Sequence, residues 1–262
     1  MKVVVTGGLG YVGMALLDTF REEFSNNPDL EVWVVDKEFI PQRIVTLQGP
    51  GLNFRYVQAD INDMLIPDDD YVWQLNKQWK RILQESDVIF HLASPVEAES
   101  SVNKEEETWR TIKDATLNLA QFKNPDTVML FASTANVFGG IPAGQKNAGL
   151  TEIDAPFPIY PYAQSKAAAE RDLISNASIK NVIVCRFGTA YGYSDGIRFN
   201  LVTNIFFKRM LEGKDIEVYG DGSNLRPLCH VRDIARALRF LAEKRLNNEI
   251  ADKEIFHVVQ AN

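Results

Sequence analysis

Cysteine and histidine are scarce in this chain, two of one and three of the other among 262 residues. Cys185 and Cys229 have no CxxC spacing, which leaves neither a disulfide framework nor a cysteine-rich zinc site and makes both read as buried free thiols. His91, His230 and His257 are too scattered for a ligand pattern, so no metal is expected. No apolar run approaches the roughly 18 residues of a membrane span, and residues 1–6 begin a strand instead of a basic and apolar leader. A cytoplasmic protein without a membrane partner is the expectation. Positive charge is also in deficit: a net charge of −7 argues against a protein-wide basic footprint, and hence against nucleic acid as a partner.

What is present suits a soluble globular protein with a substantial core, either one large domain or a large one with a small appendage. Lys2-Val3-Val4-Val5-Thr6 is a β-branched run ending at glycines, and residues 11–24 carry apolar positions at helical spacing. Further apolar runs end at Asp36, at Asp60 and at His91, and strands are expected at 127–132, 181–186 and 254–259. Helical patterns fall at 72–85, 104–122, 162–177, 199–212 and 231–245. Strands and helices in alternation predict an α/β fold, a Rossmann-type doubly wound parallel sheet covered on both faces, with ligands at the carboxyl ends of its strands. Pro67-Asp68-Asp69-Asp70 reads as a solvated loop, and residues 139–160 as either a substrate-side loop or an ordinary long connection.

The turn Thr6-Gly7-Gly8-Leu9-Gly10-Tyr11-Val12-Gly13 joins the first strand to the first helix. Missing side chains at Gly7, Gly10 and Gly13 let a pyrophosphate approach backbone N–H groups at a helix N-terminus, which adds partial positive charge. Asp36, 23 residues beyond Gly13, is spaced to accept the adenosine ribose hydroxyls. That favours NAD as cofactor; a 2′-phosphate would meet this carboxylate unless Lys37 or Arg43 compensates. Asp60 and Ile61 suit the adenine, with a turn cap as the alternative for Asp60.

Tyr162 precedes Lys166 by one helical turn, which puts both on one helix face. A free phenol titrates near pH ~10, and a cation about 4 Å away contributes roughly 4 kcal/mol at an effective dielectric of 20, about three pKa units before desolvation. Lys166 is therefore expected to bring Tyr162 toward neutrality as a base for hydride-transfer chemistry, with Thr134, or Ser133 in its place, sharing the substrate-hydroxyl proton.

Seven segments in order resemble the extended short-chain dehydrogenase/reductase superfamily, and within it the NAD-dependent nucleotide-sugar epimerase/dehydratase family. They are the glycine-rich turn, Asp60-Ile61, His91-Leu92-Ala93, Ser133-Thr134-Ala135-Asn136-Val137-Phe138-Gly139, Tyr162-Ala163-Gln164-Ser165-Lys166, Arg186-Phe187-Gly188-Thr189-Ala190-Tyr191-Gly192, and the stretch from Tyr219 to Asp233. The resemblance implies Thr134, Tyr162 and Lys166 as catalytic residues. It assigns the cofactor to Gly7, Gly10, Tyr11, Val12, Gly13, Asp36, Asp60, Ile61, Leu92 and Ala93 together with Tyr162 and Lys166. Ser133, Thr189, Asn200 and Arg226 would meet a nucleotide-sugar substrate. It also implies a homodimer through the helices at 104–122 and 162–177, and a cofactor domain of residues 1–189 and 229–259 around a small substrate region at 190–228.

The chain departs from the family pattern at Ile112 and Thr189, where many members carry asparagine, and it stops at Asn262, where members usually continue. A fragment or a short member with a more open site follows from that. Dehydratases place an Asp-Glu pair after the active hydroxyl, and decarboxylases a Glu nearby, whereas Ala135-Asn136 stands here. Epimerisation through a keto sugar is accordingly the expected reaction. An NAD-dependent dehydrogenase or reductase, and a non-catalytic NAD-binding regulator, are the alternatives.

Overall fold

The computed structural model describes residues 1–24, 27, 29–47, 53–65, 79–95, 100–142, 149–218, 222 and 225–260. The acidic loop at 67–70, the first part of the helix expected from residue 72, and Tyr219, Gly220, Asp221, Ser223 and Asn224 of the late motif lie outside these residues.

Valines 3, 4 and 5 form the heart of β1 (Lys2–Thr6), and their alternation decides what covers the sheet. Val3 and Val5 join the apolar cluster containing Met14 and Leu17 of α1 (Tyr11–Phe24) and Leu238 of α8 (Val231–Leu246). Val4 joins the opposite cluster, with Leu119 of α5 (Ala115–Phe122) and Leu173 of α6 (Pro161–Ser175). A strand buried on both faces needs apolar residues at every position, which is why β1 shows no polar alternation.

Around β1 run β2 (Glu31–Asp36), β3 (Asn53–Gln58), β4 (Val88–His91), β5 (Val128–Thr134), β6 (Val182–Phe187) and β9 (Ile255–Val258), in the order β3-β2-β1-β4-β5-β6-β9. Every neighbouring pair is parallel. The expected Rossmann-type sheet is borne out. Its order reverses direction between β1 and β4, and this switch point opens the crevice at the carboxyl ends of the strands.

Several features were not expected. A short helix α2 (Pro41–Leu47) follows β2, whereas α3, described over residues 79–85, falls within the helix expected at 72–85. The expected helix over 104–122 is divided into α4 (Glu105–Trp109), a π turn (Arg110–Asp114) and α5, with Ile112 buried inside the turn. Such π turns occur often at functional sites. Strands β7 (Thr189–Tyr191) and β8 (Leu228–His230) pair in parallel as a separate two-stranded sheet and bracket residues 192–227, which hold α7 (Val202–Leu211). The stretch before Tyr162 doubles back on itself: Phe157 N–H donates to Val137 and Gly140 N–H to Phe157, at 2.8 and 2.7 Å.

Both thiols are free and buried, as expected. Burial pushes each above the ordinary thiol pKa, so neither is a ready nucleophile. Among the described residues no helix is long and apolar enough to cross a membrane.

Glu170 of α6 and Arg186 of β6 form an ion pair at 2.8 Å with both side chains only 2% exposed. Two arginine nitrogens, Nε and Nη2, reach the carboxylate, and the Ser133 hydroxyl donates to it as well. Removing one partner strands a buried charge. Glu170→Ala should therefore lower the unfolding free energy by about 3–5 kcal/mol in urea titration. Glu22→Ala, which breaks the surface pair with Arg232, should cost no more than about 1 kcal/mol.

Candidate active site

At the switch point the backbone of the glycine-rich turn passes against the end of β4. Gly7 adopts φ +67°, and a Cβ there would sit 2.7 Å from backbone atoms of Ala93, so this position tolerates only glycine. The Gly10 carbonyl accepts Met14 N–H at 2.9 Å and begins α1, leaving the first-turn N–H groups of Tyr11, Val12 and Gly13 without intrahelical acceptors. They open toward a cavity of about 1000 Å³ whose wall includes Gly7, Gly10, Tyr11, Val12, Gly13, Asp36, Asp60, Ile61, Leu92 and Ala93. All ten cofactor-side residues outside the Tyr162–Lys166 pair are thus brought together.

Asp36 ends β2 with its carboxylate accepting N–H groups of Leu9 and Glu38 at 3.0 and 3.1 Å. Burial pushes its pKa up, and the two N–H groups oppose that rise. Lys37 lines the cavity, while the Arg43 guanidinium is held on the Leu9 carbonyl. Asp60 caps the turn that follows, accepting from the Asn62 backbone and side chain at 2.8 Å, and lines the cavity at the same time. The turn cap is thus present, and the residue also stands in the cavity wall.

At the other end stand Thr134 and Tyr162. Thr134 closes β5 and caps a 3-10 turn, its hydroxyl accepting Asn136 N–H at 3.1 Å. Tyr162 is the second residue of α6, which starts at Pro161, a residue suited to the first helical turn. Both side chains line the same cavity.

Lys166 differs from expectation. Its ammonium donates to the Ala132 carbonyl at 2.5 Å and lies 4.6 Å from the Phe131 ring centroid. Burial drives its pKa down to about 7, opposed by the nearby Glu170 charge. Burial pushes the Tyr162 phenol above its ordinary value, opposed by the Arg198 charge and by Thr134. Helical spacing sets the face that a side chain leaves from; strand β5 decides where its end goes.

On the substrate side Ser133, Thr189 and Arg226 line the cavity. Ser133 is nonetheless buried and committed to Glu170. Asn200 is exposed and is not part of the wall; Arg198, two residues earlier, is. Sequence reasoning missed Arg198, which lies in no motif. It also missed Glu107 and His257 in the wall, and Asn204, which is buried and donates to Tyr11 Oη at 3.1 Å and to the Arg198 carbonyl at 2.9 Å. His91 is structural: its ring nitrogens contact the Thr6 and Thr116 hydroxyls at 2.7 and 2.9 Å, and burial pulls its pKa down to about 3.

Residues 3–257 match the NAD dependent epimerase/dehydratase family. The chain belongs to this family. The resemblance read from its motifs is thereby borne out. Among individual relatives, the dTDP-glucose 4,6-dehydratase of Streptomyces niveus is 28% identical over 253 residues, covering 92% of this chain and 68% of the relative. MoeE5, solved with UDP-glucose and NAD, is 26% identical with a TM-score of 0.76, covering 100% of this chain and 77% of that one. The dTDP-glucose 4,6-dehydratase DesIV of Streptomyces venezuelae, solved with NAD, is 25% identical with a TM-score of 0.77, covering 98% and 75%.

A depressed lysine pKa has a thermodynamic signature. Between about pH 7 and the unfolded-chain value near ~10.4 the unfolded state holds the Lys166 proton and the folded state does not, so stability rises with pH across that window. In ligand-free protein, the stability of wild type relative to Lys166→Met should therefore grow from pH 7 to 10, by at most about 1.4 kcal/mol per pH unit. Paired urea titrations read the slope; a flat difference would mean that the buried lysine stays charged.

Proposed function

We propose that this protein is an NAD-dependent nucleotide-sugar epimerase in which Tyr162 moves the substrate proton and Thr134 shares it. One observation carries the reading: the glycine turn and Asp36 line the same cavity as Thr134 and Tyr162. The residues present fit the cofactor. Bare N–H groups at the start of α1 suit a pyrophosphate, and the Asp36 carboxylate, whose two backbone donors leave acceptor capacity on its oxygens, suits ribose hydroxyls. Asp36 together with Glu38 in the same wall disfavours a 2′-phosphate.

When bound, NAD supplies a reversible hydride acceptor. The chain's own residues handle the proton. Tyr162 Oη, ionised, takes it from the sugar hydroxyl while Thr134 donates to the same oxygen, and returns it from the same atom once the keto sugar presents its other face. Arg226 offers the diphosphate a bidentate fork. Both the dTDP-glucose 4,6-dehydratase of Streptomyces niveus and DesIV are named for an elimination, which needs an acid and a base beside the reacting hydroxyl. Here Ala135 and Asn136 stand there and neither ionises. Epimerisation asks for nothing further. A cytoplasmic setting suits the two unpaired thiols, and a homodimer through the faces of α4, α5 and α6 belongs to the same reading.

Incubation with NAD and a panel of UDP-, GDP- and dTDP-sugars should give an isomeric sugar without net NADH. Stoichiometric NADH would replace the epimerase by a dehydrogenase, and a product lighter by one water would replace it by a dehydratase. Tyr162→Phe should lower turnover by a factor of about 10² to 10⁴ with NAD binding intact; undiminished turnover would remove Tyr162 from the chemistry.

A further inference from the structure

A polar side chain buried away from water has to place the donors and acceptors that it carries. Asn204, in the first turn of α7, is 5% exposed and is not part of the cavity wall. Its amide nonetheless joins two segments that contribute to that wall. Asn204 Nδ2 donates to Tyr11 Oη at 3.1 Å and to the Arg198 carbonyl at 2.9 Å, and Oδ1 accepts the Gly192 N–H at 3.3 Å. The partners fix the orientation of the amide: turned over, its NH2 would face the Gly192 N–H and its oxygen the Arg198 carbonyl. Tyr11 completes the circuit by donating to the Gly192 carbonyl. Burial pushes the Tyr11 phenol pKa up, so the hydroxyl keeps the proton that it shares with Gly192.

We propose that Asn204 is a positioning residue that couples the two ends of the cavity, holding the cofactor turn through Tyr11 and the substrate-side wall through Gly192 and Arg198. This role rests on a dinucleotide occupying the glycine turn, whatever reaction follows. The only proton of the Tyr11 hydroxyl goes to Gly192 while its oxygen accepts from Asn204, so the hydroxyl has no donor left for a cofactor and transmits position alone. Two further contacts stiffen the junction. Ser194 Oγ donates to the Tyr11 carbonyl at 2.9 Å, and Gly196 lies so close to the turn that a Cβ there would stand 2.5 Å from the Gly10 carbonyl. Residues 192–198 therefore cannot shift without moving the turn. A cofactor that orders the turn orders this segment with it, and the ligand that arrives second finds its side of the cavity already set.

Amide hydrogen exchange on ligand-free and NAD-loaded protein tests the coupling without any sugar. In wild type, NAD should slow exchange over residues 192–201 as well as in the glycine turn. Asn204→Leu, close in size and unable to hydrogen-bond, should confine that slowing to the turn. It should also speed ligand-free exchange over 192–201 by about tenfold, and weaken NAD binding although residue 204 does not line the cavity. Tyr11→Phe keeps the ring and the backbone N–H and removes only the hydroxyl, so it gives the same readouts with the packing left in place. The double variant should weaken NAD no further than Asn204→Leu alone. An asparagine with a merely structural role would lower stability, leave the NAD-dependent slowing over 192–201 intact and add its effect on NAD to that of Tyr11→Phe; that result overturns the role. So would a wild type that binds NAD with exchange over 192–201 unchanged. Protein that binds no NAD would remove the cofactor reading and the coupling with it, and ligand-free exchange in Asn204→Leu and Tyr11→Phe would still decide whether the amide holds the wall.

Discussion

The first turn of α1 is the constraint on which the site depends, because it has to be thin on two sides at once. On one side Gly7 lies against the Ala93 backbone; on the other, a Cβ at Gly196 would lie 2.5 Å from the Gly10 carbonyl. Any side chain at Gly7 or Gly196 pushes a neighbouring backbone away. Between them Tyr11 serves two structures. Its N–H belongs to the open helix end, its hydroxyl holds Gly192, and its carbonyl accepts from Ser194 at 2.9 Å. The loop that carries Arg198 is therefore built on the same turn that suits a pyrophosphate, and the two ends of the cavity share one support.

The parts of the fold that were legible are those in which one residue type meets one physical demand. A triple valine run ending in glycine has few alternatives to a central strand and a tight turn, and both are found where the pattern puts them. Asp36 could be placed because a strand end fixes the position of its side chain. The π turn at Arg110–Asp114 and the three-residue strands β7 and β8 left no trace, since none is long enough to show a period and each depends on partners distant in the chain. The same distinction runs through the site. Spacing puts Tyr162 and Lys166 on one helix face, yet the lysine end is set by Ala132 and Phe131 on β5. Arg198 gives no signal of its own because its backbone is placed in the wall through Asn204 and Tyr11, one of them far away in the sequence.

Charge in the buried half of the molecule is arranged so that Lys166 is left over. Glu170, the acid whose charge favours the protonated lysine, already accepts from Arg186 and from Ser133, which occupies its oxygens in a site almost closed to water. A carboxylate so engaged lends Lys166 a Coulombic benefit without a direct ion pair, and burial outweighs that benefit. The ammonium settles on a neutral carbonyl and gives up its proton early.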